Sequence, residues 1–100
     1  MMMTSKTGHV AIYYCTQCHW LLRAAWLAQE LLQTFGEELA EVALRPDHGG
    51  RFEIMIDHHV IWERKADGGF PEAKQLKQRV RDVLFPDRDL GHSDRHRGAD

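Results

Sequence analysis

The sequence predicts a small α/β domain in which two helices pack against a four-stranded mixed sheet. The chain has 100 residues, which is enough for one domain and too few for two. Hydrophobic residues make up 43% of the chain and charged residues 28%, as in ordinary globular proteins. Between residues 9 and 85 the apolar spacing changes from strand-like to helical and back, which predicts the order β-α-β-β-β-α.

The first two elements are a buried strand and a long amphipathic helix. Residues 9–14 (HVAIYY) are rich in β-branched and aromatic side chains, which is typical of a buried strand. A helix is predicted from about Thr16 to Thr34, with Gly36 at its C-terminal end. At 100° per residue, its apolar side chains form one broad arc: Trp20, Leu21, Ala24, Ala25, Leu27, Ala28, Leu31, Leu32 and Phe35.

Three more strands follow this helix. Residues 39–45 suit a strand, and the sequence DHGG at 47–50 suits a turn. Phe52, Ile54 and Ile56 alternate with Glu53, Met55 and Asp57, which predicts a third strand with one buried face. His58 and His59 are the predicted hairpin turn, and residues 60–65 the fourth strand.

The second helix is predicted to begin at Pro71, where the missing N–H costs nothing, and to end before Pro86. Its apolar stripe consists of Ala73, Leu76, Val80 and Val83. From residue 87 to residue 100 only Leu90 and Ala99 are apolar, so these residues are predicted to form a disordered polar tail.

A strand, a crossover helix and a second strand predict a parallel, right-handed βαβ unit. The turn near residue 58 adds an antiparallel hairpin. Residues 1–86 are therefore predicted to form one domain, a thioredoxin-like β-α-β-β-β-α sandwich with a four-stranded mixed sheet and two helices.

Charge and hydropathy exclude two classes of partner. Thirteen Lys and Arg residues against 15 Asp and Glu give a net charge of −2, without the basic stripe expected of a nucleic-acid-binding protein. No apolar run approaches the ~20 residues that a membrane helix needs. Residues 1–6 (MMMTSK) lack the apolar stretch of a signal peptide, so we expect a cytoplasmic location.

Cys15 and Cys18 are the candidate catalytic residues. A C-x-x-C motif between a buried strand and a helix N-terminus is typical of thioredoxin-like redox proteins. The free N–H groups at the helix start favour a thiolate, and two thiols at this spacing can form a mixed disulfide and then resolve it. These arguments predict a reversible Cys15–Cys18 disulfide.

Three other interpretations of the cysteines exist. The two residues could simply be small buried hydrophobes. With His19 the motif spells C-x-x-C-H, the haem attachment sequence, but covalent attachment requires an export signal that residues 1–6 do not provide. His92 and His96 have zinc-ligand spacing, but they lie in the polar tail, far beyond the ~12–15 residues that separate Cys and His pairs in zinc fingers. No metal or other cofactor is therefore predicted.

Three segments resemble the selenoprotein W, T and H (Rdx) family, specifically short bacterial selenoprotein W-like proteins with cysteine in place of selenocysteine. They are YYCTQC at 13–18, GRFEI at 50–54, and WERK…GGFP at 62–71. The resemblance extends over roughly residues 9–85. It implies a thioredoxin-like fold and a thiol redox role in cell redox homeostasis, with glutathione or other thiol- or disulfide-bearing proteins as partners.

Two differences from related proteins bear on the site. In selenoprotein W the motif is C-x-x-U, so selenocysteine stands where Cys18 stands here. Thioredoxins carry a cis-proline before the strand that faces their motif, whereas residues 47–51 contain none and Pro46 comes too early. Gly49 and Gly50 either let another backbone approach this face closely or simply form a turn.

The sequence thus predicts a thiol–disulfide oxidoreductase or a redox-responsive thiol protein. The alternative is a non-catalytic interaction module whose Cys pair senses oxidation. Helix electrostatics favour Cys15, expected to be the more exposed thiol, as the attacking residue, whereas the family resemblance favours Cys18.

Trp26 and Leu22 are the candidate contact residues. Trp26 is predicted on the polar side of the first helix with Leu22 nearby, and an exposed Trp is unusual enough to suggest an interface. We expect a patch for self-association or for docking of a redox partner. The alternative is that the chain folds over Trp26 and buries it within the monomer.

Overall fold

The computed structural model describes residues 6–91 of the chain. The predicted element order β-α-β-β-β-α is confirmed. The elements are β1 (Thr7–Cys15), α1 (Leu21–Phe35), β2 (Leu39–Asp47), β3 (Phe52–Ile56), β4 (His59–Glu63) and α2 (Ala73–Leu84).

The four strands form one mixed sheet in the order β2-β1-β3-β4, and the fold is thioredoxin-like. Strand β1 pairs in parallel with β2 and antiparallel with β3, and β3 pairs antiparallel with β4. At the end of β1, Cys15 lies opposite Asp47 of β2 and Tyr14 lies opposite Phe52 of β3. The register therefore brings the end of β1 next to the turn that joins β2 to β3.

The core lies between the sheet and the two helices, which contact each other. Alternate residues of β1 point into it, and the buried side of α1 covers them. At about 1.5–3 kcal/mol for each large aliphatic or aromatic side chain, this burial is the main source of stability. The fully buried residues of the core include Val10, Ile12, Leu27, Leu31, Phe35, Phe52, Ile54, Leu76 and Val80.

Three residues predicted to belong to the apolar helix faces are exposed instead. The exposed fractions of Leu21, Leu32 and Val83 are 46%, 44% and 49%. Each lies at the margin of its helix's apolar arc, and the arc is wider than the surface that the sheet and the other helix cover. In α2, Leu84 packs against the core instead of Val83.

The structure also corrects the start of α2. The helix begins at Ala73, two residues after the predicted start at Pro71. Glu72 is the N-cap: its backbone N–H donates to the Gln75 side chain at 2.9 Å, and its own side chain accepts from the Gln75 backbone. This capping box satisfies two free donors of the first turn, which explains why the helix starts there.

Residues 87–91, the first part of the predicted disordered tail, pack back on the domain. The Arg88 guanidinium lies 2.7 Å from the Glu38 carboxylate and donates to the Thr34 carbonyl, also at 2.7 Å, while Leu90 contacts the core. The rest of that tail, including His92 and His96, lies outside the described residues. Neither of the two helices between residues 6 and 91 is long and apolar enough to cross a membrane.

Candidate redox site

The C-x-x-C motif forms a turn between β1 and α1. Strand β1 ends at Cys15, and the backbone N–H of His19 donates to the Thr16 carbonyl at 3.1 Å. His19 has a φ of 63°, a left-handed conformation that no residue inside a right-handed helix adopts. The predicted helix start at Thr16 is therefore wrong by five residues, and α1 begins only at Leu21.

Cys15 and Cys18 are at disulfide distance, with 5.3 Å between their Cα atoms. This separation is in the usual range for disulfides. Cys15, the last residue of β1, is completely buried, whereas Cys18 in the turn is half-buried. The expectation that Cys15 is the more exposed thiol is wrong, because it rested on placing both cysteines in the first turn of the helix.

The β2–β3 turn holds the motif in place. The backbone N–H and the hydroxyl of Thr16 both donate to the Asp47 carbonyl, at 2.9 and 3.2 Å. Gly49 and Gly50 have φ values of 72° and 76°, so these glycines form the turn itself. Pro46, in β2, has a trans peptide bond like the rest of residues 6–91.

The carboxylate of Asp47 is part of an ion-pair chain. It accepts from the Arg51 guanidinium at 2.8 Å, and Arg51 also lies 2.7 Å from the Glu53 carboxylate. The hydrogen bond from Arg51 holds the pKa of Asp47 below its usual value. The same carboxylates raise the pKa of Arg51, most strongly Asp47.

An aromatic cluster supports the other side of the turn. Trp20, the N-cap of α1, and Phe52 both make edge-to-face contacts with Phe70, each with ring centroids 4.9 Å apart. The Arg23 guanidinium lies 4.2 Å from the centre of the Phe70 ring, and that of Arg64 lies 5.1 Å from the Trp20 ring. Both distances suit cation–π contacts.

The sequence prediction did not include this cluster. It placed Trp20 within the helical arc and gave Phe70 no role. The signal was present in the GGFP segment at residues 68–71, which the family resemblance singled out without a structural reason. The position of Phe70 beside Trp20 follows only from the tertiary structure, which brings the β4–α2 loop to the same end of the sheet as Cys18.

A second group of cations surrounds Tyr13. Arg45 donates to the Tyr13 hydroxyl at 2.6 Å, and the Arg51 guanidinium lies 3.8 Å from the centre of the Tyr13 ring. By strand alternation, Tyr13 projects from the face of the sheet opposite the core, as Cys15 does. A cavity of about 510 Å³ on this face has Tyr13 and Arg45 in its wall but neither cysteine.

A smaller pocket adjoins the motif turn directly. Its volume is about 350 Å³, and its walls are Tyr14, Thr16, His19, Leu21 and Leu22. His19, which precedes the helix, is exposed.

Leu22 and Trp26 are 80% and 48% exposed, so they are exposed as expected, and the alternative that the chain folds over Trp26 and buries it is wrong. Within residues 6–91 no three His, Cys, Asp or Glu side chains come together as a metal site.

Residues 9–82 match the model of the Rdx family. The selenoprotein W-related protein from Vibrio cholerae is 64% identical to this chain, and the match covers 78% of this chain and 98% of that one with a TM-score of 0.76. A protein from Bordetella parapertussis is also 64% identical, over 78% of this chain and 99% of that one, with a TM-score of 0.77. No curated protein matches the chain. The family match and the cysteine pair are consistent with a redox-type thiol protein.

Proposed function

Because the chain belongs to the Rdx family, we propose that it is a thiol–disulfide oxidoreductase that works through Cys15 and Cys18 in cell redox homeostasis. The observation that supports this proposal most is the unequal burial of two cysteines at disulfide distance. A dithiol exchange mechanism uses one thiol that a substrate can reach and a second thiol that attacks the resulting mixed disulfide.

In the reduced protein, the Cys18 thiolate attacks one sulfur of a substrate disulfide. The substrate S–S bond breaks, a mixed disulfide forms on Cys18, and the first substrate thiolate leaves and takes up a proton. The Cys15 thiol then loses its proton and attacks the Cys18 sulfur, which releases the second substrate thiolate and closes the Cys15–Cys18 disulfide. Two electrons pass from the protein to the substrate.

Two equivalents of a monothiol return the protein to its dithiol form. The first attacks Cys18, which breaks the Cys15–Cys18 bond, releases Cys15 as a thiolate that takes up a proton, and forms a mixed disulfide on Cys18. The second attacks that monothiol's sulfur, which releases the Cys18 thiol and an oxidised dimer of the reductant. Glutathione, the partner implied by the family resemblance, is the expected monothiol. The cytoplasm, where we expect the protein to act, is rich in reducing thiols.

The choice of Cys18 as the attacking residue reverses the preference that helix electrostatics gave. Cys18 is the accessible sulfur, it precedes the positive end of α1 by three residues, and Arg23 lies in the first turn of that helix. The positive end of the helix and the Arg23 charge both favour a thiolate at Cys18. The position also matches that of selenocysteine in the C-x-x-U motif.

Two measurements test the proposal. With hydroxyethyl disulfide as substrate and glutathione as reductant, the wild type should show many turnovers per molecule, and Cys18→Ser should abolish them. Cys15→Ser should instead accumulate a mixed disulfide on Cys18, because only glutathione can then release the substrate thiol. With iodoacetamide, the single thiol of Cys15→Ser should react at least tenfold faster than that of Cys18→Ser. Stoichiometric reduction without turnover would contradict the proposal, and faster alkylation of Cys15 would reverse the two roles.

The second candidate function is a non-catalytic interaction module whose Cys pair senses oxidation. The exposed Leu22 and Trp26 beside the motif favour it, because a contact surface at this place would respond to the state of the disulfide. Such a protein would react once with an oxidant and stop. Sedimentation of the reduced and oxidised forms would then show a difference in self-association that Trp26→Ala removes.

A further inference from the structure

The start of α1 exposes an apolar surface that the fold does not need. Leu21, Leu22 and Trp26 are 46%, 80% and 48% exposed, and the first two line the pocket of about 350 Å³ beside the motif turn. Single exposed apolar residues are ordinary, but a contiguous group next to a pocket is typical of a contact site. We refer to these three side chains as the α1 patch.

Two cations lie at the same end of the domain without an acidic partner. Within residues 6–91, neither Arg23 nor Arg64 pairs with a carboxylate. Arg23 packs over the Phe70 ring, and Arg64 packs over Trp20 and donates to the Gly50 carbonyl at 3.2 Å. The aromatic contacts hold both side chains in place while leaving their charges uncompensated.

The pocket, the disulfide and the Arg23 side chain are close together because consecutive residues between Tyr14 and Arg23 carry them. Cys18 lies in the turn, Leu21 and Leu22 begin the helix, and Arg23 follows in the same helical turn. A chain that reaches Cys18 therefore passes close to both the apolar pocket and a positive charge.

We infer that this surface binds protein substrates in which a large apolar residue and an acidic residue flank the redox-active cysteine. The apolar side chain occupies the pocket beside Leu21 and Leu22, and the carboxylate pairs with Arg23. The inference rests on the proposed function and adds its substrate class.

A protein substrate fits this surface better than the other two occupants do. Glutathione supplies carboxylates but no large apolar side chain, so it leaves the pocket unfilled. A second copy of this chain seated on the α1 patch would cover the pocket next to Cys18, and that arrangement obstructs the exchange reaction that the site is proposed to perform.

The test measures how fast the protein reduces two synthetic peptide substrates, with hydroxyethyl disulfide as the reference substrate. Each peptide carries one cysteine in mixed disulfide with 2-mercaptoethanol, flanked by leucine and glutamate in the first peptide and by serine and lysine in the second. The measured quantity is the second-order rate constant with the reduced wild-type protein, divided by the rate constant for hydroxyethyl disulfide. We expect this ratio to be at least tenfold higher for the first peptide.

Variants assign the preference to individual residues. Leu22→Ala should reduce the ratio for the first peptide about fivefold or more. Arg23→Gln should also reduce this ratio, because the variant no longer pairs with the glutamate of the peptide. Leu32→Ala is the matched control, because it makes the same substitution at an exposed position farther along the same helix (44% exposed) and should leave the ratio unchanged.

Every outcome is informative. Equal ratios for the two peptides would overturn the inference and leave the proposed function standing. If no disulfide reacts, the proposed function fails, and a binding measurement then decides the inference. It follows the fluorescence anisotropy of a labelled first peptide in which serine replaces the cysteine. Tighter binding to the wild type than to Leu22→Ala supports the inference, and equal or absent binding overturns it. A dimer that Trp26→Ala dissociates, without peptide preference, would identify the second copy as the occupant and overturn the inference.

Discussion

The two sides of α1 differ in what covers them. The side that faces the sheet has Leu27, Leu31 and Phe35 completely buried, whereas the opposite side leaves Leu22 and Trp26 in solvent. The exposed side is otherwise polar and includes Arg23, Gln29 and Gln33, so its two large apolar side chains are the exception there. The difference indicates that the buried side provides stability and the exposed side is available for recognition.

The largest expected effect comes from adjacent leucines on the two sides. Leu31→Ala removes a fully buried side chain and should lower the free energy of unfolding by about 2–5 kcal/mol. Leu32→Ala removes the same atoms from a position that is 44% exposed and should cost less than about 1 kcal/mol. Urea unfolding followed by circular dichroism measures both. Equal losses would show that the two sides contribute alike and would end the comparison.

A second pair contrasts a buried tryptophan with an exposed one. The Trp62 indole N–H donates to the Gly69 carbonyl at 2.8 Å, and its ring is only 4% exposed. Trp62→Phe removes the donor and leaves that carbonyl without its partner, so unfolding should become easier by about 1–3 kcal/mol.

Trp26→Phe serves as the control, because Trp26 is 48% exposed and its replacement should change the free energy of unfolding by less than about 0.5 kcal/mol. Gly69 precedes Phe70, so Trp62→Phe should also loosen the aromatic cluster behind the motif turn. A change in acrylamide quenching of the remaining tryptophans would report this. If Trp26→Phe proves as destabilising as Trp62→Phe, the exposed side of α1 has a structural role.

The same contrast separates what could be predicted from the sequence from what could not. Periodicity depends on burial, and it correctly gave the order of the six elements, the parallel pairing of β1 with β2, the β3–β4 hairpin and the buried residues Leu27, Leu31 and Phe35. It did not give the pairing of β1 with β3, and β4 begins at His59, inside the predicted turn. It failed at α1's start, because the left-handed φ of His19 is a single-residue backbone choice that leaves no periodic signal. That error also inverted the relative exposure of Cys15 and Cys18.

Contacts between residues far apart in the chain were the second feature that the sequence did not predict. The sequence indicated that Trp26 and Leu22 are exposed, because a helical wheel is local information. It gave no sign that Arg23 and Arg64 come to the same end of the domain, since that depends on how the loop around Phe70 folds back over Trp20.

The smallest expected effect concerns the ion pair beside the motif and appears only as a pH dependence. The pKa of the Asp47 carboxyl is lowered in the folded protein, chiefly by the hydrogen bond from Arg51. Its ionised form therefore stabilises the fold above the unfolded pKa of about 4, and this contribution is lost as the pH falls through the lower folded value. Asp47→Asn should lower the melting temperature slightly at pH 7, and the difference from wild type should shrink as the pH falls below about 4.

The control is Asp87→Asn, an exposed carboxyl for which residues 6–91 provide no salt bridge. This variant should melt close to the wild type throughout the pH range. The Asp47 carbonyl holds Thr16 through the backbone, so the asparagine variant should keep the motif turn and react with iodoacetamide at Cys18 near the wild-type rate. A large loss of that reactivity would show that the ion pair positions the motif. Electrostatics at the exposed end would then contribute to the chemistry as well as to a small part of the stability.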